Sequence, residues 1–197
     1  MSAREQIIET TSRLLEQQGY YATGLNQIVQ ESGAPKGSLY YYFPQGKEEL
    51  TAEAIDRSAR EFERIIQTEL ARYDDPAETV YQFMLALAEH AQASDCRGGA
   101  PIATVALETA GHSERLTAAC QQAYGRYQGA FAARFVASGF SETRGAQLAT
   151  LIVAAIEGGI MTKTALVSTL KAGLKRSTDA PSARRRAMAL AWAAFVS

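Results

Sequence analysis

The sequence predicts an all-α fold of about nine helices, and three observations predict it. Apolar residues recur at three- and four-residue spacing along most of the chain. No run alternates in the manner of a strand, and the five prolines, at positions 35, 44, 76, 101 and 181, fall at breaks between periodic segments. With 197 residues, 47% hydrophobic and 21% charged, the chain can bury a sizeable core and is too apolar to be disordered.

The first helix is expected from about Ser2 to Gln18, with Ile7, Ile8, Thr11, Leu14 and Leu15 as its apolar stripe and Gly19 as its stop. A short helix follows over about Leu25 to Ser32, with Leu25, Ile28 and Val29 inward and Thr23 placed to cap it. Gly33-Ala34-Pro35 reads as a tight turn into a further short helix, about Pro35 to Tyr42, and Pro44-Gln45-Gly46 breaks the chain again. Lys47 to Tyr73 reads as a long helix with Leu50, Ala54, Phe62, Ile65, Ile66 and Leu70 on its apolar side. Asp75-Pro76 starts another, whose stripe is Val80, Phe83, Met84, Leu87 and Ala91. After a loop over 97–100, Pro101 opens a short helix to about Ala110. Ser113 caps one to about Ser138 that Gly139 ends, and Ser141 caps a long one. A final alanine-rich helix is expected over Pro181 to Val196. The chain divides into two units, residues 1–46 and 47–197.

The formal net charge is −1, from 20 basic and 21 acidic residues, which argues against a protein that coats nucleic acid by bulk electrostatics. Two cysteines, Cys96 and Cys120, cannot make a disulfide framework. The opening residues contain no signal-peptide core, and the longest apolar stretch, Ala187 to Val196, is too short to span a bilayer. A cytoplasmic protein with no membrane partner is expected. The basic run Lys171, Lys175, Arg176, Arg184, Arg185 and Arg186 reads as a solvated loop and helix start.

The first fifty residues hold the informative pattern: two short helices joined at a turn containing Gly33 and preceded by a longer supporting helix, the elements of a helix-turn-helix. Counting about 100° per residue from an inward Leu39, Tyr42 and Phe43 also fall toward the core, while Gly37 and Tyr41 fall opposite, flanked by Ser38 and Tyr40. Consecutive aromatics on a helix cannot all point inward. The outward face is therefore hydroxyl-rich and aromatic with Lys36 at its start, a composition that suits phosphate contacts, and Gly37 lets the backbone approach a groove closely.

The stretch GYYATGLNQIVQESGAPKGSLYYYFPQGKEEL, Gly19 to Leu50, closely resembles the DNA-binding domain of the TetR family of transcriptional repressors. FPQGKEEL, Phe43 to Leu50, and RGGAPIATVALETA, Arg97 to Ala110, are similar to the LmrA/YxaF-like subgroup, except that Ala100 stands where that subgroup usually has cysteine. The resemblance implies a homodimer on palindromic double-stranded operator DNA, released when a small-molecule effector binds. It further implies that Lys36, Gly37, Ser38 and Tyr40 face the major groove and that Thr23, Tyr41, Tyr42 and Lys47 contact phosphate.

An effector pocket is expected among the helices after Lys47, which carry Phe62, Ile66, Tyr81, Met84, Leu87, His90, Val105, Tyr124, Tyr127, Phe131, Ile156 and Met161, with Glu108, Thr109 and Glu157 as further polar groups. Core packing stays open as the role of each. The ligand is expected to be mostly apolar or aromatic. The dimer in the family is built from the last two helices, which implies roles for Leu148, Leu151, Ile152, Ala155 and Gly159, and for Ala187, Leu190, Ala191 and Ala194.

Enzymatic readings fare poorly. Glu108 and His112 lie one turn apart but lack an evident third metal ligand. No HExxH or ExxH occurs, Gly46-Lys47 lacks P-loop spacing, and there is no GxSxG. No cofactor or metal is expected. A thiol- or metal-responsive regulator and an effector-independent DNA-binding dimer remain as alternatives.

Overall fold

The computed structural model describes residues 1–93 and 101–161. Among them run eight helices: α1 Ala3–Ala22, α2 Leu25–Ser32, α3 Lys36–Tyr42, α4 Lys47–Leu70, α5 Pro76–Ala93, α6 Pro101–Thr109, α7 Glu114–Ala137 and α8 Glu142–Met161. The fold is all-α, as expected. The helix expected over 181–196, with Ala187, Leu190, Ala191 and Ala194, lies outside the described residues, as do Cys96, the loop 97–100 and the basic run from Lys171.

Local signals set the helix ends. Ser2 caps α1 through a reciprocal capping box with Glu5: the Glu5 N–H donates to the Ser2 hydroxyl at 3.2 Å, and the Ser2 N–H to Glu5 Oε2 at 2.7 Å. The Ala77 N–H donates to Asp75 Oδ1 at 3.0 Å, and Leu116 N–H to the Ser113 hydroxyl at 3.2 Å. At the start of α8, the Arg144 N–H donates to the Ser141 hydroxyl at 3.3 Å. Gly33 ends α2 in the left-handed region, φ 66° and ψ 7°, which reverses the chain into Pro35 and α3. Gly19 breaks α1, as its position suggested. The chain regains one more helical turn beyond it, so that α1 extends to Ala22 across a kink.

Two helices organise the packing. In the N-terminal part α1 is central, contacting α2, α3, α4 and α6; in the remainder α4 and α7 form the most extensive pair, with α5, α6 and α8 against them. Ile7, Ile8, Leu14 and Leu15 of α1 join Ile28, Leu39, Phe43 and Leu50 in one part of a core that continues through Ile66, Val105, Leu116 and Phe131. Ile65, expected inside, is 46% exposed; Ala59 and Ile66 take the inward positions on that part of α4. Polar ties cross the same interfaces. Arg4 pairs with Glu53 between α1 and α4, and Arg126 on α7 reaches Asp56 at 3.2 Å and Glu63 at 3.4 Å on α4. Arg134 donates to the carbonyls of Leu70, Tyr73 and Asp74 at 3.0, 2.6 and 2.8 Å, so a side chain of α7 satisfies the C-terminal end of α4. Among the described residues no helix is long and apolar enough to cross a membrane.

Candidate DNA-binding face and effector site

The α2–turn–α3 unit is held from behind. Leu39 and Phe43 are fully buried, Ala34 is buried beneath the turn, and the Arg4 guanidinium lies 5.6 Å above the Phe43 ring. With that face committed, α3 presents the other side to solvent. Lys36 and Gly37 are exposed, Ser38 is half-buried, Tyr40 is 52% exposed and Tyr41 79%. A Cβ added at Gly37 would meet nothing within 4 Å, so no internal packing demands a glycine there.

Three residues sit differently from expectation. Tyr42 is exposed at 36%, its ring edge-on to Tyr41 at 5.0 Å and to Phe43 at 6.5 Å. The helix ends at Tyr42, and Phe43, at φ −130° and ψ 69°, swings into the inward place that uninterrupted helical counting gave to both. Thr23 is fully buried and neither caps α2 nor offers its hydroxyl to solvent: Oγ1 donates to the Gly19 carbonyl at 2.6 Å, and Gly24 is the residue before α2. Lys47 is half-buried with Nζ 4.1 Å from the centre of the Tyr20 ring. Burial draws the Lys47 ammonium below its ordinary range, opposed by the nearby charge of Glu108.

Glu108 is expected among the pocket residues, yet its carboxylate points to α1. Oε2 accepts the Tyr20 N–H at 2.6 Å and the Tyr21 N–H at 3.2 Å, the donors freed by the kink at Gly19. This contact joins α6 to the helix that supports the helix-turn-helix, with Lys47 of α4 beside it. Thr109 is buried with its hydroxyl donated to the Val105 carbonyl at 2.7 Å.

The other pocket residues fall on α4, α5, α6, α7 and α8. Phe62 meets Tyr127 edge-on at 4.9 Å and Phe83 at 6.2 Å, Phe83 meets Phe131 at 5.5 Å, and Tyr124 meets Tyr127 at 6.3 Å. The Tyr124 hydroxyl is hydrogen-bonded to the Glu157 carboxylate, and burial pushes Tyr124, Tyr127 and Glu157 all toward their neutral forms. Ile66, Val105 and Ile156 are buried, while Tyr81, Met84 and Leu87 are half-buried. The side chains of His90 and Met161 lie outside the described residues. Phe83 is missing from the expected pocket set, although the α5 stripe contains it. Its role as the ring between Phe62 and Phe131 depends on how three helices meet.

On α8, Leu148 and Ile152 are buried within a single chain, Leu151, Ala155 and Gly159 are half-buried, and Ala154 and Gly158 are exposed. Leu148 and Ile152 therefore pack in the core of the chain itself, and the positions that α8 leaves exposed are Glu142, Thr143, Arg144, Ala146, Gln147, Thr150, Ala154 and Gly158.

The eight helices of the described residues, with a short, outward-facing second helix of a helix-turn-helix, define a DNA-binding transcriptional regulator. Residues 7–54 match the family of bacterial regulatory proteins, tetR family, and residues 76–171 match the transcriptional regulator LmrA/YxaF-like C-terminal domain. The chain is 45% identical over 159 residues to the uncharacterized HTH-type transcriptional regulator YxaF of Bacillus subtilis, covering 81% of this chain and 83% of that one. It is 40% identical over the same length to the HTH-type transcriptional regulator LmrA of that organism, covering 81% and 85%. A TetR transcriptional regulator from Legionella pneumophila shares the fold with a TM-score of 0.72 at 16% identity, over 89% of this chain and 95% of that one. The chain belongs to the TetR family of transcriptional regulators, in its LmrA/YxaF-like branch.

Proposed function

We propose that the protein is a cytoplasmic homodimeric repressor that holds a palindromic operator through α3 and releases it when a small apolar or aromatic molecule binds among α4, α5, α7 and α8. The observation that carries the DNA half of this reading is the outward face of α3. Lys36, Gly37, Tyr40 and Tyr41 are exposed on a helix whose other side is anchored by Leu39 and Phe43. Lys36 and the tyrosine hydroxyls supply phosphate and base-edge donors, and the bare backbone at Gly37 admits close approach to the groove. Thr23 has no place among these contacts as a side chain, because its hydroxyl is spent on Gly19. The division into residues 1–46 and 47–197 belongs to the same reading, although α1 packs against both α4 and α6.

A dimer places two α3 helices on successive major-groove faces only when they lie roughly 34–36 Å apart. Effector binding beside α4 would change that separation, and the Glu108 contact gives α6 a second hold on the same unit. A thiol switch at Cys120 is disfavoured, since burial pushes its thiol up to about 11 and thiolate is the reactive form. Selection of bound DNA from a random pool, followed by titration of Tyr41→Ala against the selected sequence, tests the reading. We expect a two-fold symmetric site and at least tenfold weaker binding of the variant, about 1.4 kcal/mol or more. An asymmetric site, or unchanged affinity, would refute it.

A further inference from the structure

The aromatic cluster between α4, α5 and α7 has a charged corner that the core does not use. Glu157 Oε2 is buried and has no hydrogen-bond partner among the described residues, while the carboxylate also takes the Tyr124 hydroxyl. Buried polar atoms are nearly always paired, and leaving an acceptor unmade costs about 1–3 kcal/mol, more for a charged group. Arg126, on the same helix as Tyr124 and Tyr127, is ion-paired to Asp56 and Glu63 of α4. Beside the carboxylate stand the rings of Tyr124 and Tyr127, 6.3 Å apart, and Phe62 follows at 4.9 Å from Tyr127.

An acceptor that lacks a donor among the described residues, a carboxylate whose ionised form burial disfavours until a positive charge stands beside it, and a wall of aromatic rings together select a ligand that carries both a positive charge and a flat apolar body. A neutral hydroxyl would fill a lone pair of Oε2 and leave the charge buried; a purely apolar molecule would do neither. We propose that the effector site recognises planar aromatic cations, with Glu157 Oε2 as the counter-ion and Tyr124, Tyr127 and Phe62 as the stacking surface. The proposal rests on the effector reading above and names the chemistry of that same site.

The test compares two probes of nearly equal shape, N-methylacridinium, permanently cationic, and acridine, which is neutral at about pH 8, where ordinary carboxylates are ionised. Both are titrated into the full chain by fluorescence, with wild type and Glu157→Gln in parallel. The wild type should bind N-methylacridinium at least about tenfold more tightly than acridine. Glu157→Gln should abolish that preference by weakening N-methylacridinium binding, in a protein that still folds and melts at or above the wild-type temperature at this pH. Tyr124→Phe, which keeps the ring and removes the hydroxyl, should retain the cation preference. Equal affinity for the two probes, or a preference that survives Glu157→Gln, would overturn the cation assignment. Binding of acridine alone would overturn it and leave the effector reading standing, whereas binding of neither would count against both.

Discussion

Replacing Gly19 by alanine tests the contact between the two parts of the molecule. Gly19 has φ 78° and ψ −175°, a region that residues with a Cβ essentially never occupy. Forcing alanine there costs about 1–3 kcal/mol in backbone strain. The new Cβ would also lie 2.6 Å from Glu108 Oε1 and 3.0 Å from Oε2, so the carboxylate must leave. It would then surrender the Tyr20 and Tyr21 N–H groups, and hydrogen bonds to a charged acceptor are worth about 1.5–3 kcal/mol. Counting the two bonds as one interaction shared at Oε2, the sum is about 2.5–6 kcal/mol, or roughly 5–24 °C in melting temperature for a chain of this size. Circular dichroism melts at matched protein concentration measure it, since dimer stability depends on concentration. The steric part disappears when Glu108 is already alanine. The double variant Gly19→Ala/Glu108→Ala should therefore lose less than the sum of the single losses, by about 1 kcal/mol or more. A Gly19→Ala protein within about 0.5 kcal/mol of wild type, or a cycle additive to that margin, would refute the reasoning.

Other expectations follow from the same geometry. Gly37→Ala should leave stability unchanged or raise it by up to about 1 kcal/mol through helix propensity while weakening operator binding, because the Cβ meets only the space the DNA would fill; melts and binding titrations on one preparation separate the two effects. Cys120, in a Cys96→Ser background, should resist a disulfide thiol reagent at neutral pH in the folded protein and react promptly in denaturant; rapid labelling of the native state would contradict its burial and raised pKa. Burial lifts the folded-state pKa of Glu157 above its ordinary value near 4.5, so the folded chain holds the proton more tightly than the unfolded one. Its contribution is most favourable below that value and is lost as pH rises through the folded pKa. Urea midpoints should show Glu157→Gln gaining on wild type as pH increases from about 4 to 8, and a parallel pair of profiles would count against the assignment.

The helices were legible in the sequence because each carries its own local instruction. Asp75-Pro76 starts α5, Ser113 starts α7, Gly33 turns α2 into α3, and Ile7, Ile8, Leu14 and Leu15 mark the buried side of α1. The outward set on α3 was legible too, since Leu39 fixes the phase and Tyr41 must lie opposite. Tyr42 was not, because helical counting continues through Phe43 whereas the chain leaves the helix there. Thr23 has the composition of a cap, but whether a hydroxyl points forward to the next helix or back to the carbonyl of Gly19 depends on the kink before it. Leu148 and Ile152 share the helical spacing of an interface and of a core, and only the position of α7 assigns them to the core.

The sequence by itself determined an all-α chain, the helix-turn-helix near its start, and a recognition helix whose free face is Lys36, Gly37, Tyr40 and Tyr41. These depend on periodicity and caps that act within a few residues. It also set a net charge of −1, compatible with DNA binding because much of the acid near the start of the chain is committed elsewhere: Glu5 to the α1 cap, Glu9 to Arg57, Glu31 to Arg13 and Glu49 to the Gln45 N–H. Tertiary structure alone decided that Glu108, 88 residues from Tyr20, serves α1 rather than the pocket, and that Glu157 meets Tyr124 with one oxygen left unanswered among the described residues. A buried carboxylate's partners are set by which helices cross at its depth, and no local pattern in the chain encodes that crossing.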